Sequence, residues 1–383
     1  MSSPEPATPR LLIASTVSGT LEAFLLPFAR HLRSKGWRVD GMAAGAGSSP
    51  ACRAAFDEVH EASWSRNAWA PANVAAVREV RRVVRAGAYD IVHVHTPTAS
   101  FFTRAALAAS PRRPVVVYTA HGFHFSEDSA GLAAYAYRQL ERLAGRWTDH
   151  LIVINPEDFR LARRHRIVGD GRLEEMPGIG VDLGYYAADE VADDEVERAR
   201  HELGLGPGDP LFTVVGGLIP RKRHSDVLHA LRRLGRDDAH LALVGDGPLT
   251  APTRELARHL DLERRVHFLG RRADVRPFVR AASALVLASG QEGLPRSVME
   301  AMSLGTPVVG TDIRGTRDLL DDGRGFLVPV GDAERLARAM ARVLDSPEEA
   351  LARADKARSH VARFRQEEVV ALHERRYRQL LER

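Results

Sequence analysis

The sequence predicts an α/β protein with two domains, each built on a parallel sheet. Short apolar, β-branched runs alternate with longer amphipathic stretches along the whole chain, which is typical of this fold class. The chain has 383 residues, more than the roughly 250–300 residues at which a single core stops growing. An acidic, weakly patterned segment at 185–197 and a turn-rich segment at 204–210 separate two halves with the same plan.

The alternation predicts five strands and five helices in the first half and a similar series in the second. First-half strands are expected at 10–16, 37–42, 90–95, 115–119 and 150–154, and helices at 21–35, 73–86, 99–109, 132–145 and 157–165. Second-half strands are expected at 211–215, 241–244, 266–269, 284–288, 307–310 and 326–328, and helices at 223–234, 249–260, 296–303 and 333–344. We place the domains at 1–185 and 186–365, with a last helix in 366–383 that packs back on the first domain.

Composition limits the classes of protein that fit. Hydrophobic residues make up 44% and charged residues 27% of the chain, which excludes a disordered chain. The net charge of +4 suits anionic partners such as nucleotide phosphates, lipid phosphates or an acidic membrane face. Cys52 is the single cysteine, so no intramolecular disulfide forms. No apolar run approaches the roughly 18 residues of a spanning helix, and we expect a cytoplasmic protein whose attachment to the inner membrane face is open.

The most specific motif is the segment 291–300, in which Glu292 and Glu300 stand eight positions apart around a Gly-Leu-Pro turn. Pro295 suits the first position of a helix, which leaves Glu292 on the preceding loop and Glu300 inside the helix. The free N–H groups of such a helix start stabilise a phosphate, and carboxylates accept hydrogen bonds from sugar hydroxyls. A solvated acidic helix is the alternative interpretation of this spacing alone.

A glycine-rich turn follows the first predicted strand of the second half. Gly216 and Gly217 allow the backbone to approach a diphosphate closely. Arg221, Lys222 and Arg223 come next, and three cations at a helix start oppose the helix dipole unless an anion is bound there. A cation at this place neutralises the charge that builds on a leaving group.

Together these motifs resemble the family-4 retaining glycosyltransferases, in the branch that assembles polysaccharides and surface glycans. The resemblance covers essentially the whole chain. It implies a GT-B fold, with two Rossmann-like domains facing each other across a cleft. It also implies a hexosyltransferase that moves a sugar with retention from a nucleotide diphosphate, most commonly UDP, onto a glycan or lipid-linked acceptor. No cofactor, metal or nucleic acid is expected, and the chain lacks the Asp-x-Asp motif that holds a metal in single-domain transferases.

The resemblance also assigns residues. Glu292 would contact hydroxyls of the donor sugar, Glu300 would contact the nucleotide ribose, and Lys222 would contact the departing phosphate. The catalytic candidates are Glu292, Lys222 and His121, which lies in the His-Gly step of 118–125. The implied donor-binding residues are Gly19, Gly216, Gly217, Arg221, Lys222, Gly245, Arg271, Glu292, Gly293, Leu294, Pro295 and Glu300. The candidates for the acceptor side are Arg66, Asn73, His95 and His124.

One position departs from the family pattern. The family usually has an arginine at the glycine-rich turn and a lysine five residues later; Lys222 matches the lysine, but Gly217 stands in place of the arginine. We hypothesise that Arg221 or Arg223 supplies the second cation. Asn155, at the end of a predicted strand, is expected to cap a helix rather than to do chemistry.

Other functions fit parts of the sequence. His93, His95, His121 and His124 could ligate zinc in a metallohydrolase, although the second half then has no explanation. A nucleotide-sugar epimerase or a sugar phosphorylase would keep the fold and change the reaction. The arginines of helix 73–86 and of 160–166 predict basic faces that suit anionic lipid, or that are simply solvated. The four in the first helix are Arg78, Arg81, Arg82 and Arg85.

Overall fold

The computed structural model describes residues 8–382 except 66, 68, 69, 111, 128–130 and 207. This part of the chain divides into two compact units, with breaks after Ile179 and after Gln366. Unit 1 consists of the chain before the first break together with the C-terminal helix, and unit 2 is Gly180–Gln366. The sequence-based boundaries at 185/186 and 365/366 lie close to these breaks.

Unit 1 is built on a seven-stranded parallel sheet with the order β3-β2-β1-β4-β5-β6-β7. The strands are β1 (Arg10–Val17), β2 (Arg38–Ala44), β3 (Val59–Glu61), β4 (Ile91–His95), β5 (Val115–Ala120), β6 (His150–Val153) and β7 (Leu173–Glu175). The sequence did not predict β3 and β7, because three residues at a sheet edge are too short to show a periodic pattern.

Helices cover both faces of this sheet, and a hydrophobic core lies on each side. They are α1 (Ser18–Thr20), a π-helical turn (Leu21–Leu25), α2 (Leu26–Ser34), α3 (Pro50–Ala55), α4 (Ala72–Gly87), α5 (Pro97–Leu107), α6 (Leu132–Gly145) and α7 (Pro156–Arg164). The C-terminal helix, α16 (Gln366–Leu381), belongs to the same unit and buries Val369, Val370, Tyr377 and Leu380 in one of its cores.

Unit 2 has a six-stranded sheet with the order β10-β9-β8-β11-β12-β13, again with every pairing parallel. Its strands are β8 (Leu211–Val215), β9 (His240–Val244), β10 (Val266–Gly270), β11 (Ala284–Leu287), β12 (Val308–Thr311) and β13 (Phe326–Val328). Its helices are α8 (Asp193–Glu202), α9 (His224–Arg233), α10 (Thr250–His259), α11 (Arg276–Arg280), α12 (Arg296–Ser303), α13 (Thr316–Leu320), α14 (Ala333–Asp345) and α15 (Pro347–Val361).

The acidic segment at 185–197, which the sequence places between the two halves, contains the start of a helix that the pattern did not predict. Helix α8 begins inside it, with Asp193, Asp194 and Glu195 in the first turn. Carboxylates at that place favour the positive end of the helix dipole. The acidic run is therefore the start of a helix.

The backbones of two turns approach each other closely at the carboxyl edge of the second sheet. A Cβ added to Gly245, which follows β9, would lie 2.0 Å from the carbonyl oxygen of Gly216, which follows β8. The φ angle of Gly245 is +147°, a conformation that favours glycine. Glycine is thus required for the two turns to meet. Among the described residues, no helix is both long and apolar enough to cross a membrane.

Candidate active site

Two cations and one carboxylate meet beyond the carboxyl ends of β8 and β11. Lys222 closes a single 3-10 turn after the glycine-rich loop, and Glu292 lies on the loop after β11. Lys222 Nζ is 2.7 Å from Glu292 Oε1, and Arg221 Nη1 is 3.0 Å from Oε2. Arg221 also donates to the backbone oxygen of Gln291 at 2.9 Å. The loop and the turn are thus joined by two ion pairs.

Glu292 is ionised in this cluster. Its side chain is only 8% exposed, and burial alone would raise the pKa of the carboxyl group; the charges of Lys222 and Arg221 outweigh that effect and lower the pKa. Two positive charges then face one negative charge, and of the three side chains only that of Arg221 is largely exposed. The surplus positive charge favours an additional anion.

The lysine lies over the glycine turn. A Cβ at Gly216 would be 3.4 Å from Cε and 3.6 Å from Nζ of Lys222, so the turn and the ammonium group share one small region. Gly216 has φ of +153°. A backbone without a side chain beside an ammonium group is an arrangement that lets a diphosphate approach both.

The structure distinguishes the two arginines that were candidates for the second cation. Arg223 has a left-handed conformation, with φ of +51°. Its guanidinium group pairs with Asp226 in the first turn of α9, with Nε 2.6 Å from Oδ2. Arg221, in contrast, shares the carboxylate of Glu292 with Lys222. The contacts therefore favour Arg221.

Glu300 lies in α12, and its side chain is 9% exposed. Arg296 Nε is 2.8 Å from Glu300 Oε1, and Tyr186 donates its hydroxyl to the same carboxyl group. Burial raises the pKa of Glu300, although Arg296 and Tyr186 oppose the rise. The motif spacing identified Glu300, but no pattern pointed to Tyr186, which is distant in sequence.

The turn between the two glutamates begins the helix one residue later than expected. Pro295 has extended backbone angles (φ −71°, ψ 112°) and precedes α12, so it is not the first helical residue. Gly293 and Leu294 pack against the loop that carries Gly315, where a Cβ would lie 2.0 Å from the oxygen of Gly293. The opening of the motif is held by this close backbone contact.

The remaining donor candidates of unit 2 follow neighbouring strands. Gly245 donates its N–H to the oxygen of Gly270 at 2.8 Å, which ties the turn after β9 to the end of β10. Arg271 follows directly and is exposed, and Gly217 is half-buried. In unit 1, Gly19 is exposed in α1, the short helix that follows β1. Each of these sits at the carboxyl end of a strand, as ligand-binding residues of parallel sheets do.

In unit 1 a cluster of neutral imidazoles lies at the ends of β4 and β5. His95 Nδ1 is 3.0 Å from His121 Nε2, so one ring donates to the other. Burial, followed by the effect of His373, lowers the pKa of His121 to about 4, and burial together with the neighbouring histidines lowers that of His95 well below its usual value. Both rings are therefore uncharged near neutral pH.

The cluster extends to the C-terminal helix. His93 makes two hydrogen bonds, and its tautomer sets which partner is the donor in each. Nδ1 is 2.5 Å from the Tyr377 hydroxyl, and Nε2 is 2.8 Å from Thr119 Oγ1. The ring of His373 stacks on that of His93, with centroids 5.9 Å apart. Sequence reasoning missed Tyr377 and His373, because nothing in the last helix marks contacts with residues almost 300 positions earlier.

The acceptor candidates are not all gathered with His95. His124 is exposed, and its ring lies 5.1 Å from that of Tyr137. Asn73 is fully buried; it accepts from the Ser65 N–H and donates to the Asn67 oxygen, both at 2.8 Å. Asn73 thus holds a loop, which is a correction to its expected exposure to the acceptor. Arg66 lies outside the described residues.

Two simpler expectations can be checked directly. Asn155 caps α7, since its side chain accepts from the Asp158 N–H at 2.8 Å, which confirms the predicted capping role. Within the described part of the chain, the histidines in β4 and after β5 do not form a group of three metal ligands; the group with suitable geometry is Asp40, Glu58 and His60. Arg38 already pairs with both of those carboxylates. The metallohydrolase hypothesis therefore gains no support.

Comparison with known proteins agrees with this geometry. Residues 195–360 match the family profile "Glycosyl transferases group 1", and residues 21–182 match "Glycosyltransferase Family 4". EpsD of Bacillus subtilis (strain 168), a protein assigned to the glycosyltransferases, is 31% identical over 345 residues, which is 89% of each chain. The chain belongs to the family-4 glycosyltransferases.

A second relative and a solved structure extend the comparison. The UDP-Gal:alpha-D-GlcNAc-diphosphoundecaprenol alpha-1,3-galactosyltransferase of Escherichia coli is 29% identical over 71% of this chain and 72% of its own. The structure of Anabaena Alr3699/HepE in complex with UDP and glucose superposes with a TM-score of 0.80 at 20% identity, covering 97% of this chain and 100% of that one. The predicted GT-B fold, with two parallel Rossmann-like sheets, and the predicted glycosyltransferase class in glycan assembly are confirmed.

Proposed function

We propose that this family-4 glycosyltransferase is a retaining, metal-independent hexosyltransferase that uses a UDP-sugar and a glycan or lipid-linked acceptor. The observation that carries the proposal is the cluster of Lys222, Arg221 and Glu292 over the glycine-rich turn. The Escherichia coli relative is named for a UDP-sugar donor and an undecaprenol-linked acceptor, and the Anabaena structure is titled as a complex with UDP and glucose. Both names support the choice of donor, and that of the Escherichia coli relative also supports the choice of acceptor.

In the proposed reaction, the bond between the sugar's anomeric carbon and the diphosphate oxygen breaks while the acceptor hydroxyl oxygen bonds to the same face of that carbon. The hydroxyl proton passes to the departing diphosphate. Lys222 and Arg221 stabilise the negative charge that grows on the phosphate, which takes over the role that a metal ion has in other transferases. No protein group other than these cations is needed for departure.

Glu292 has two effects in this scheme. It holds both cations at fixed positions before the donor binds, so little reorganisation is needed when charge develops. Its second proposed effect is to accept hydrogen bonds from hydroxyls of the donor sugar. Because its pKa is lowered, the carboxylate stays ionised and remains an acceptor across the ordinary pH range.

Glu300 is the proposed ribose ligand. Its carboxyl group already accepts from Tyr186 and contacts Arg296, and the two ribose hydroxyls would add to or replace those donors. The proposed role of His121, assigned by the resemblance, is beside the donor sugar's reacting carbon. An uncharged imidazole there places no positive charge near a carbon that itself becomes positive.

The direct test is thermal stability with UDP, GDP, ADP and their sugars in EDTA, for the wild type, Glu300→Ala and the control Glu348→Ala. Glu348 is an exposed carboxylate in the first turn of another helix. A ligand at 100 times its dissociation constant adds about 2.7 kcal/mol to the free energy of unfolding. We expect stabilisation by UDP, lost in Glu300→Ala and kept in Glu348→Ala. Stabilisation that survives Glu300→Ala would refute the ribose assignment, and a requirement for metal would refute metal independence.

A further inference from the structure

Helix α6 exposes an unusual amount of apolar surface. Of its fourteen residues, only Ala134, Ala144 and Gly145 are buried. Ten large apolar or tyrosine side chains are exposed among the described residues, and five of them lie on this one helix. They are Leu132 (88% exposed), Tyr135 (55%), Tyr137 (42%), Leu140 (38%) and Leu143 (38%).

Most of these side chains form one stripe. With 3.6 residues per turn, Leu132, Tyr135 and Leu143 fall within about a third of the helix circumference, on the side opposite the buried Ala134 and Gly145. Leu140 lies at the edge of the stripe. Scattered exposed apolar residues need no explanation, but a continuous stripe of them marks a contact surface.

Arginines flank this stripe. Arg142 of α6, Arg146 just after it and the segment 163–172, which begins at the end of α7, line a cavity of about 860 Å³. The lining includes six arginines and one aspartate. The aspartate, Asp170, is 3.5 Å from Arg163. The remaining arginine side chains of this groove are Arg164, Arg166 and Arg172. We call this set the arginine groove.

The positive field of the groove acts on its neighbours. Burial is the main cause that lowers the pKa of His165, and the charges of Arg138, Arg164 and Arg142 lower it further. Arg164 and Arg166 are exposed. A surface of this kind holds anions, because uncompensated cations repel each other until a counter-charge binds.

We propose that the α6 stripe and the arginine groove form a docking surface for a bilayer that contains anionic lipid. An amphipathic helix inserts its apolar side at the boundary of headgroups and acyl chains, and neighbouring arginines bind the lipid phosphates. Tyrosines are favoured at that depth because the ring is apolar and the hydroxyl is wet. A free phosphate would use the arginines but gives no role to the exposed leucines.

The docking surface runs along α6 toward the amino edge of the sheet in unit 1. Leu132 begins α6, which follows β5, whereas Arg142, Arg146 and the segment 163–172 come just before β6 and β7. The arginine groove therefore lies at the amino ends of these strands, at the edge opposite to the one where the acceptor is expected. Docking itself involves no sugar transfer, so the proposal stands or falls independently of the proposed function.

The experiment is co-sedimentation of the full chain with vesicles of phosphatidylcholine, alone or mixed with phosphatidylglycerol. Two variants remove one half of the surface each: Arg142→Gln/Arg146→Gln/Arg166→Gln, and Leu132→Ser/Tyr135→Ser/Leu143→Ser. The control is Arg78→Gln/Arg82→Gln/Arg85→Gln, which removes three exposed arginines from α4. Thermal stability of each variant shows that the fold is kept.

We expect the wild type to bind the mixed vesicles, with an affinity that falls as salt rises, and to bind phosphatidylcholine weakly. The arginine variant should lose about a hundredfold in affinity for the mixed vesicles, the apolar variant should lose binding as well, and the α4 control should bind as the wild type does. Absence of wild-type binding to the mixed vesicles would overturn the proposal. So would an equal loss in the α4 control, or binding of inorganic phosphate in the groove with no capture by vesicles.

Discussion

The two units have the same architecture but opposite electrostatics at the carboxyl ends of their sheets. In unit 2, Lys222, Arg221 and Glu292 are charged and paired, and the pKa of Glu292 is lowered. In unit 1, His95 is buried and His121 is half-buried among other imidazoles, and their pKa values are lowered so that they are neutral.

The difference shows that topology places residues, whereas burial and partners decide their charge. A parallel sheet brings side chains to its carboxyl edge in both units. A carboxylate stays ionised there because two cations lie within 3.0 Å; an imidazole without a carboxylate partner loses its proton when it is buried. A charged donor cluster and a neutral imidazole cluster thus come from one plan.

The largest effect is expected at the lysine. Lys222→Ala removes the cation over the glycine turn and should lower turnover at saturating donor by about 10²–10³-fold, as loss of one preorganised stabilising group does. The measurement is release of nucleoside diphosphate, with Lys356→Ala, an exposed lysine of α15, as the matched control. If Lys222→Ala and Lys356→Ala behave alike, the charged cluster has no part in catalysis.

The neutral cluster predicts a pH effect on stability. Burial lowers the pKa of His373 to about 4, below that of an unfolded histidine at about 6.5. The unfolded chain therefore binds more protons below pH 6.5, so this stability is complete above that pH and is lost as the pH falls toward 4. At pH 5 the loss from this one group is about 2 kcal/mol in the free energy of unfolding.

The measurement is urea unfolding at pH 7 and pH 5. His373→Gln should show a smaller decrease between the two pH values than the wild type, whatever its absolute stability, while the exposed His201→Gln should keep the wild-type decrease. If the free energy of unfolding of His373→Gln decreases between pH 7 and pH 5 as much as that of the wild type, burial does not keep this ring neutral.

The two arginines after the turn should differ in effect. Arg221 is 48% exposed, and solvent screens the interaction of its charge with the phosphate. Arg221→Ala should therefore lower turnover by roughly tenfold. Arg223→Ala should lower it by less than about twofold, because that arginine is paired with Asp226. Steady-state turnover of both variants decides the matter, and the reverse ranking would show that Arg223 is the second cation.

The smallest effect concerns the bond between the C-terminal helix and β4. Tyr377→Phe removes the hydroxyl that contacts His93 and should lower the free energy of unfolding by about 1 kcal/mol. Chemical denaturation measures this change, with Tyr135→Phe on an exposed position as the control. No difference between the two variants would show that the buried contact contributes nothing to stability.

Much of the fold could be predicted from local pattern, since β8, β13 and α6 begin and end where the periodicity placed them. The failures have two physical causes. The edge strands β3 and β7 are too short for a period, and α8 begins in an acidic run whose favourable interaction with the helix dipole is not visible as hydrophobic spacing.

The candidate site divides in the same way. Glu292, Lys222 and Glu300 could be found because each belongs to a motif of fixed spacing. Tyr186 and Tyr377 could not, because their importance comes from hydrogen bonds to residues far away in the chain. The structure also corrected Asn73, whose buried amide holds a loop; a sequence does not show whether an asparagine faces solvent or its own backbone.

The most direct test of the proposed reaction is the stereochemistry of the product. Proton NMR of the glycoside formed from an α-linked UDP-sugar, in EDTA, reports the anomeric configuration and whether UDP is released with it. Retaining transfer predicts an α-linked product and one UDP for each sugar transferred. A β-linked product would contradict the proposed attack on the same face of the anomeric carbon.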